Sequence, residues 1–96
     1  MMRVRTGQEV LEYEILEEQA ATIGRLAREL RTTLDALAAV DRRDPRRPSL
    51  VDAAADALWN FVVQRDCAGF RWTEQVLDDY AVPAEVRGRM GATRPR

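Results

Sequence analysis

The sequence predicts an all-α protein, a long antiparallel helical hairpin followed by two short C-terminal helices. Three observations predict this fold class. Apolar residues recur at spacings of three, four and seven over residues 16–40, no proline precedes Pro45, and no segment shows the alternation of a strand. A chain of 96 residues suits one domain. We predict a helical domain over residues 8–91, a flexible arm at 1–7 and a disordered tail at 92–96.

The first helix is predicted over residues 8–41. Thr6, followed three residues later by Glu9, has the form of a capping box at its start. On a helical wheel the apolar positions form one stripe, with charged residues opposite. The two prolines and four arginines between Asp41 and Pro48 predict a connector. The stripe comprises Leu16, Ile23, Leu26, Leu30, Leu34, Leu37 and Val40.

The second helix is predicted over residues 50–68. Ser49 stands where an N-cap is expected, with Asp52 three residues later, and Gly69 where the helix should stop. Its apolar arc spans about 200° of the wheel, whereas a single packing partner requires a stripe of little more than about 100°. We therefore expect this helix to contact more of the protein than the first helix.

Two short helices are predicted over residues 73–80 and 83–90. Thr73 can cap the first of them, Pro83 suits the first turn of the second, and Gly91 stops it. We expect both to pack across the open end of the hairpin, where the second helix is too short to cover the first.

The N-terminal half of the first helix predicts a homodimer. Residues 9–18 hold five glutamates and no basic residue, and their apolar side chains spread around the wheel. One small domain cannot cover all of them, so we expect the long helices of two copies to pack with isologous symmetry, either parallel or antiparallel. The predicted role is non-enzymatic, through self-association and binding of a protein partner. The apolar residues concerned are Val10, Leu11, Tyr13, Ile15 and Leu16.

Composition argues against an enzyme. All 15 basic residues are arginine, histidine and lysine are absent, and Ser49 and Cys67 are single representatives of their types. These counts exclude a Ser-His-Asp or Cys-His site, a lysine Schiff base and a Walker-type lysine within one chain. We expect no metal and no cofactor, and the sequence identifies no small-molecule ligand, although catalysis by carboxylates alone, for example Glu12 with a second acid, stays open.

Net charge and hydropathy give no reason to expect nucleic acid or membrane partners. The formal net charge is −1, and no window of about 18 apolar residues occurs. The first seven residues are not followed by the apolar core of a signal peptide. The default expectation is a cytoplasmic protein.

Four polar residues form the candidate site. Glu12 and Arg65 fall on the predicted apolar stripes of the first and second helices, where an unpaired charge would be costly. We interpret them as a structural ion pair or as side chains that reach solvent. The alternative is a polar ligand-binding spot, which Gln19 and Gln64 would line with them.

The alternative function is DNA binding through a degenerate helix-turn-helix at residues 74–90. Its outline is a helix, a short turn and a basic helix, from which Arg87 and Arg89 could reach DNA. Against it, the last helix has only two turns, contains Gly88 and offers only two side chains for base contacts. We expect no nucleic acid partner.

Aromatic residues cluster around the end of the second helix. Trp59, Phe61, Phe70 and Trp72 lie within fourteen residues and alternate with arginines, a pattern that could stack bases. We interpret them as core or interface. Cys67 lies near a helix C-terminus without a neighbouring base, so we expect an ordinary thiol.

Three segments resemble a small bacterial family that carries no assigned function. They are Val10–Leu16, Asp56–Arg65 and Tyr80–Val86, and the resemblance extends over most of residues 9–91. It implies a stand-alone, all-helical bacterial protein. It provides no catalytic or binding residues to carry over.

Overall fold

The computed structural model describes residues 6–70 and 73–91, which form four helices and no strand. The all-α prediction is confirmed, and so is the packing of the first helix against the second. Residues 1–5 of the predicted arm and the predicted tail at 92–96 lie outside the described residues. The helices are α1 (Gly7–Ala38), α2 (Arg47–Cys67), α3 (Thr73–Asp79) and α4 (Ala84–Arg89).

The first helix begins as predicted. The Thr6 hydroxyl accepts a hydrogen bond from the Glu9 backbone N–H at 3.1 Å, and the Glu9 carboxylate accepts one from the Thr6 N–H at 2.9 Å. This reciprocal capping box satisfies two otherwise free donors. The helix ends at Ala38, three residues before the predicted end, because the Asp41 carboxylate accepts from the Arg43 N–H at 2.8 Å and favours a turn there.

The second helix begins three residues earlier than predicted. Ser49 is not its N-cap: the helix starts at Arg47, and the Ser49 hydroxyl donates back to the Arg46 carbonyl at 2.9 Å. Pro48 in the first turn has no backbone N–H to satisfy, so the helix can start before the serine. Beyond the last residue, Gly69 adopts φ +94°, as expected of a glycine that ends a helix.

One hydrophobic core joins all four helices. Leu30 and Leu58 have no exposed surface, and α2 contributes six buried residues from more than one face. It packs against α1 and also against α4, which confirms that this helix contacts more than one partner. The buried core residues are Leu26, Leu30, Leu34, Leu37, Val51, Ala54, Ala55, Ala57, Leu58, Phe61, Val76, Leu77, Val82 and Val86.

The expected position of the short helices at the open end of the hairpin is wrong for α4. Arg47, the first residue of α2, forms an ion pair with Glu85, and Arg89 forms one with Asp52. These pairs place α4 beside the first turns of α2, near the loop that closes the hairpin. Asp52 is therefore engaged by α4 rather than in the predicted capping box.

Candidate interaction surface

Five of the eight large apolar side chains that are exposed among the described residues lie on residues 9–18 of α1, here called the acidic segment. Its five large apolar side chains are exposed by 42–64%, with Leu16 the most exposed. Thr22 and Gln64 line a common pocket, so α2, which ends at Cys67, extends only about three residues further along α1. Most of the acidic segment therefore projects beyond the hairpin. Its apolar residues are Val10, Leu11, Tyr13, Ile15 and Leu16.

Glu12 is exposed, so of the two interpretations of its stripe position the structure fits the side chain that reaches solvent. The apolar stripe of α1 continues into the acidic segment, but the helix that would cover it has already ended. Among residues 6–70 and 73–91, neither Glu12 nor Gln19 has a side-chain hydrogen bond or ion pair. The structure therefore does not join Glu12 to Arg65 as an ion pair within the described part of one chain.

Arg65 is half-buried and stacks on aromatic rings. Its guanidinium carbon lies 5.6 Å from the centroid of the Phe61 ring and 5.2 Å from that of Phe70. Both distances suit cation–π contacts, which leave the charged end near solvent. This arrangement agrees with the interpretation of a side chain that reaches solvent. Gln64 is half-buried beside it in sequence and lines the pocket with Thr22.

The aromatic cluster divides between core and surface. Phe61 is buried and meets the Tyr80 ring edge-on, with 5.6 Å between centroids, which confirms its core position. Trp59 is 37% exposed and Phe70 50% exposed. Trp72 lies outside the described residues.

A groove runs between α1 and α2 on one side of the hairpin, here called the α1/α2 groove. It encloses about 530 Å³ and is lined only by these two helices. Arg25 and Arg28 provide its positive charge, and Glu29 and Asp56 its negative charge. Arg25 pairs with Glu29 at 3.2 Å. The remaining lining residues are Thr32, Thr33, Ala53, Ala57 and Asn60.

Both arginines of the alternative DNA-binding segment are engaged within the chain. The Arg87 guanidinium donates to the Val82 carbonyl at 2.9 Å and lies 3.8 Å from the Asp78 carboxylate. Arg89 donates to Asp52 at 2.5 Å. These contacts hold α4 against its neighbours, and the helix has six residues.

The resolved pKa shifts all favour charged forms. The guanidinium of Arg46 holds the pKa of Asp44 at about 2, chiefly through side-chain hydrogen bonds of 2.8 and 3.0 Å. A hydrogen bond from Arg47 likewise lowers the pKa of Glu85. Neither carboxyl is therefore poised as an acid or base near neutral pH.

The described residues contain no group of three or more potential ligands that could hold a metal ion. Cys67 is exposed and forms no disulfide. Within the described part of the chain, no helix is long and apolar enough to cross a bilayer.

Two features of the structure cannot be predicted from local sequence patterns. The pairs Arg47–Glu85 and Arg89–Asp52 join residues 38 and 37 positions apart, so no local spacing indicates them. The α1/α2 groove depends on how the two helices are set against each other. Its only sequence signal is the concentration of small and polar residues on the sides of both apolar stripes.

The fold and surface define a small all-helical protein with a projecting, partly apolar helix end. The chain belongs to a family of unknown function, DUF6665, whose family model matches residues 1–95. This confirms the resemblance to a family without an assigned function. No curated protein and no solved structure matches the chain.

Proposed function

We propose that this protein acts through self-association, as a homodimer whose interface includes the acidic segment of α1. The observation that supports this proposal is that five large apolar side chains are exposed in a stretch of seven residues, 10–16, near the N-terminal end of α1. Large apolar side chains exposed together in one segment typically mark interaction sites. The same chain buries its other helices in an ordered core, so the exposure does not reflect a generally loose fold.

A non-enzymatic role fits the same surface. The resolved pKa shifts favour charged carboxylates, and the α1/α2 groove offers two arginines, of which Arg25 is paired with Glu29, rather than a nucleophile with a base. An additional protein partner could bind the dimer, whereas DNA binding would have to displace the contacts of Arg87 and Arg89. The cytoplasmic setting and bacterial origin stay predictions from the sequence.

The test is the molar mass of a variant whose apolar contacts are removed without a change of charge. Leu11→Gln with Ile15→Gln replaces side chains that are 57% and 50% exposed, and glutamine keeps the helix propensity high. Full burial of such a side chain stabilises by about 2 kcal/mol, so the exposed part contributes about 1 kcal/mol. Four such side chains in a dimer contribute about 4 kcal/mol, or about a thousandfold in Kd.

Sedimentation equilibrium at tens of micromolar should therefore show a wild-type dimer and a monomeric double variant. Ala84→Gln, an exposed position at the start of α4, is the matched control and should remain dimeric. A wild-type monomer over this range would contradict the proposal. So would a double variant that dimerises as tightly as the control.

A further inference from the structure

The charge of the acidic segment restricts how two copies can pair. Residues 9–18 carry five glutamates and no basic residue. If two acidic segments paired only with each other, two short helix segments would bring ten glutamates together with no basic residue between them, whether the helices ran parallel or antiparallel. Like charges held side by side are destabilising. The acidic segment therefore requires a partner surface other than the acidic segment of a second copy.

The next part of α1 provides the nearest positive charge. Arg25, Arg28 and Arg31 lie in the half of the helix that packs against α2, with Glu29 between them. Arg31 pairs with Asp35 and lies over the Tyr80 ring, and Arg25 pairs with Glu29. Arg28 has no ion pair among residues 6–70 and 73–91 and lines the α1/α2 groove. It is available to a carboxylate of another chain.

Two of the five exposed apolar residues of the acidic segment lie on the same side of α1 as this groove. Leu11, Ile15, Thr22, Arg25 and Glu29 follow at spacings of three, four or seven, which keep side chains on one face of a helix. Arg25 and Glu29 line the groove, and Thr22 lines the pocket that continues it toward the open end of the hairpin. The face of the acidic segment that carries Leu11 and Ile15 is thus continuous with the groove.

The lining of the groove suits a helix. Ala53 and Ala57, one helical turn apart on α2, are small enough for another helix to approach closely. At the open end, Trp59 and Val63 are each 37% exposed and line the adjoining pocket, where they can meet apolar side chains. The charges of the groove sum to zero because Glu29 and Asp56 offset its two arginines. A glutamate-rich helix therefore meets a neutral surface there rather than an acidic one.

We propose that the second copy packs antiparallel, with the acidic segment of each chain lying along the α1/α2 groove of the other. This arrangement rests on the proposed homodimer and specifies the orientation and register of its two α1 helices. Glu14 faces Arg28 of the second copy, and Glu18 faces Arg25. The residue numbers of two positions that face each other add up to about 42. The two-fold axis therefore crosses α1 near residue 21.

The register also determines the extent of the interface. Residues 7–35 of the two helices overlap, a length of about 43 Å at 1.5 Å per residue. An antiparallel pair restricted to the acidic segments would have its axis near residue 14 and would overlap by about half as much. The longer overlap covers Leu11 and Ile15 in both copies and seats each acidic segment against two helices instead of one. An interface of this extent suits a stable dimer better than a contact between two helix ends.

A single spin label distinguishes the arrangements. Gln8 is exposed in the first turn of α1, so Gln8→Cys in a Cys67→Ser background carries one nitroxide per chain. Pulsed electron double resonance on the full-length dimer should give about 40 Å between labels, because residues 8 of the two copies lie 26 residues apart along the antiparallel pair.

Distances other than about 40 Å can be interpreted when the molar mass of the labelled chain is also measured by sedimentation. A distance of about 20 Å would show antiparallel acidic segments paired with each other, and one below about 15 Å would show parallel helices. Either distance, in a particle of dimeric mass, overturns the proposed arrangement and leaves the homodimer intact. A monomeric mass for both the wild-type and the labelled chain overturns the homodimer as well.

Discussion

Truncating Leu30 tests the division of α1 into a packed half and a projecting half. Leu30 has no exposed surface and lies in the core with residues of α1 and α2. Leucine-to-alanine substitutions at such positions cost about 3–4 kcal/mol, from lost burial and from the cavity that remains. A domain of this size has about 5–14 kcal/mol in total, so Leu30→Ala should remove a large share. The corresponding fall in Tm is about 15–25 °C.

The matched control is the same substitution in the projecting half. Leu16 is 64% exposed, and alanine is a better helix former, so Leu16→Ala should change the free energy of unfolding by less than about 0.5 kcal/mol. Urea unfolding followed by far-ultraviolet circular dichroism at about 1 µM chain keeps any contribution from association small. An equal loss of stability in both variants would show that Leu16 is packed within the monomer and that α1 has no projecting half.

Three further predictions concern the interface, an ion pair and a glycine. Glu14→Arg and Arg28→Glu should each weaken the homodimer, and mixing the two variants should restore a heterodimer by sedimentation; failure of the mixture to associate would contradict the register. Glu85→Gln should reduce the loss of folding stability that the wild type shows between about pH 5 and pH 3. The wild-type carboxyl has a folded pKa below its ordinary 4.5, so its contribution to stability is lost as the pH falls through that folded pKa. An identical pH profile of urea midpoints in the two proteins would count against this prediction. Gly91→Ala should destabilise by about 1 kcal/mol or more and shift tryptophan emission, because its φ is +79° and the new Cβ would lie 3.2 Å from the Trp59 ring; an unchanged spectrum and midpoint would remove that contact from the account.

Local patterns in the sequence predict the helices well and their ends less well. The capping box of Thr6 and the stop at Gly69 follow from short-range chemistry, and both occur in the structure. The start of α2 is wrong by three residues because Pro48 tolerates an earlier start and the Ser49 hydroxyl turns to a carbonyl instead of capping. A capping residue indicates a possible start of a helix, and the loop before it decides which start is used.

The arrangement of the helices is harder to predict because it depends on distant contacts. Glu85 and Arg89 hold α4 beside α2 through partners almost forty residues away, and nothing in their own segment indicates those partners. Glu12 lies on the apolar stripe and is nevertheless exposed for a related reason: helical periodicity shows which residues share a face but not where the neighbouring helix ends. The wide apolar arc of α2, in contrast, correctly indicates a second packing partner, because each apolar side of a helix has to be buried against a neighbour.

The most direct test of the account is the molar mass of the unmodified chain in solution. Sedimentation equilibrium from about 1 to 100 µM should show a concentration-dependent rise to twice the chain mass of 10.9 kDa. The acidic segment is then covered by a second copy. A mass of one chain throughout that range would contradict the central claim, because five large apolar side chains would then remain exposed in the isolated protein.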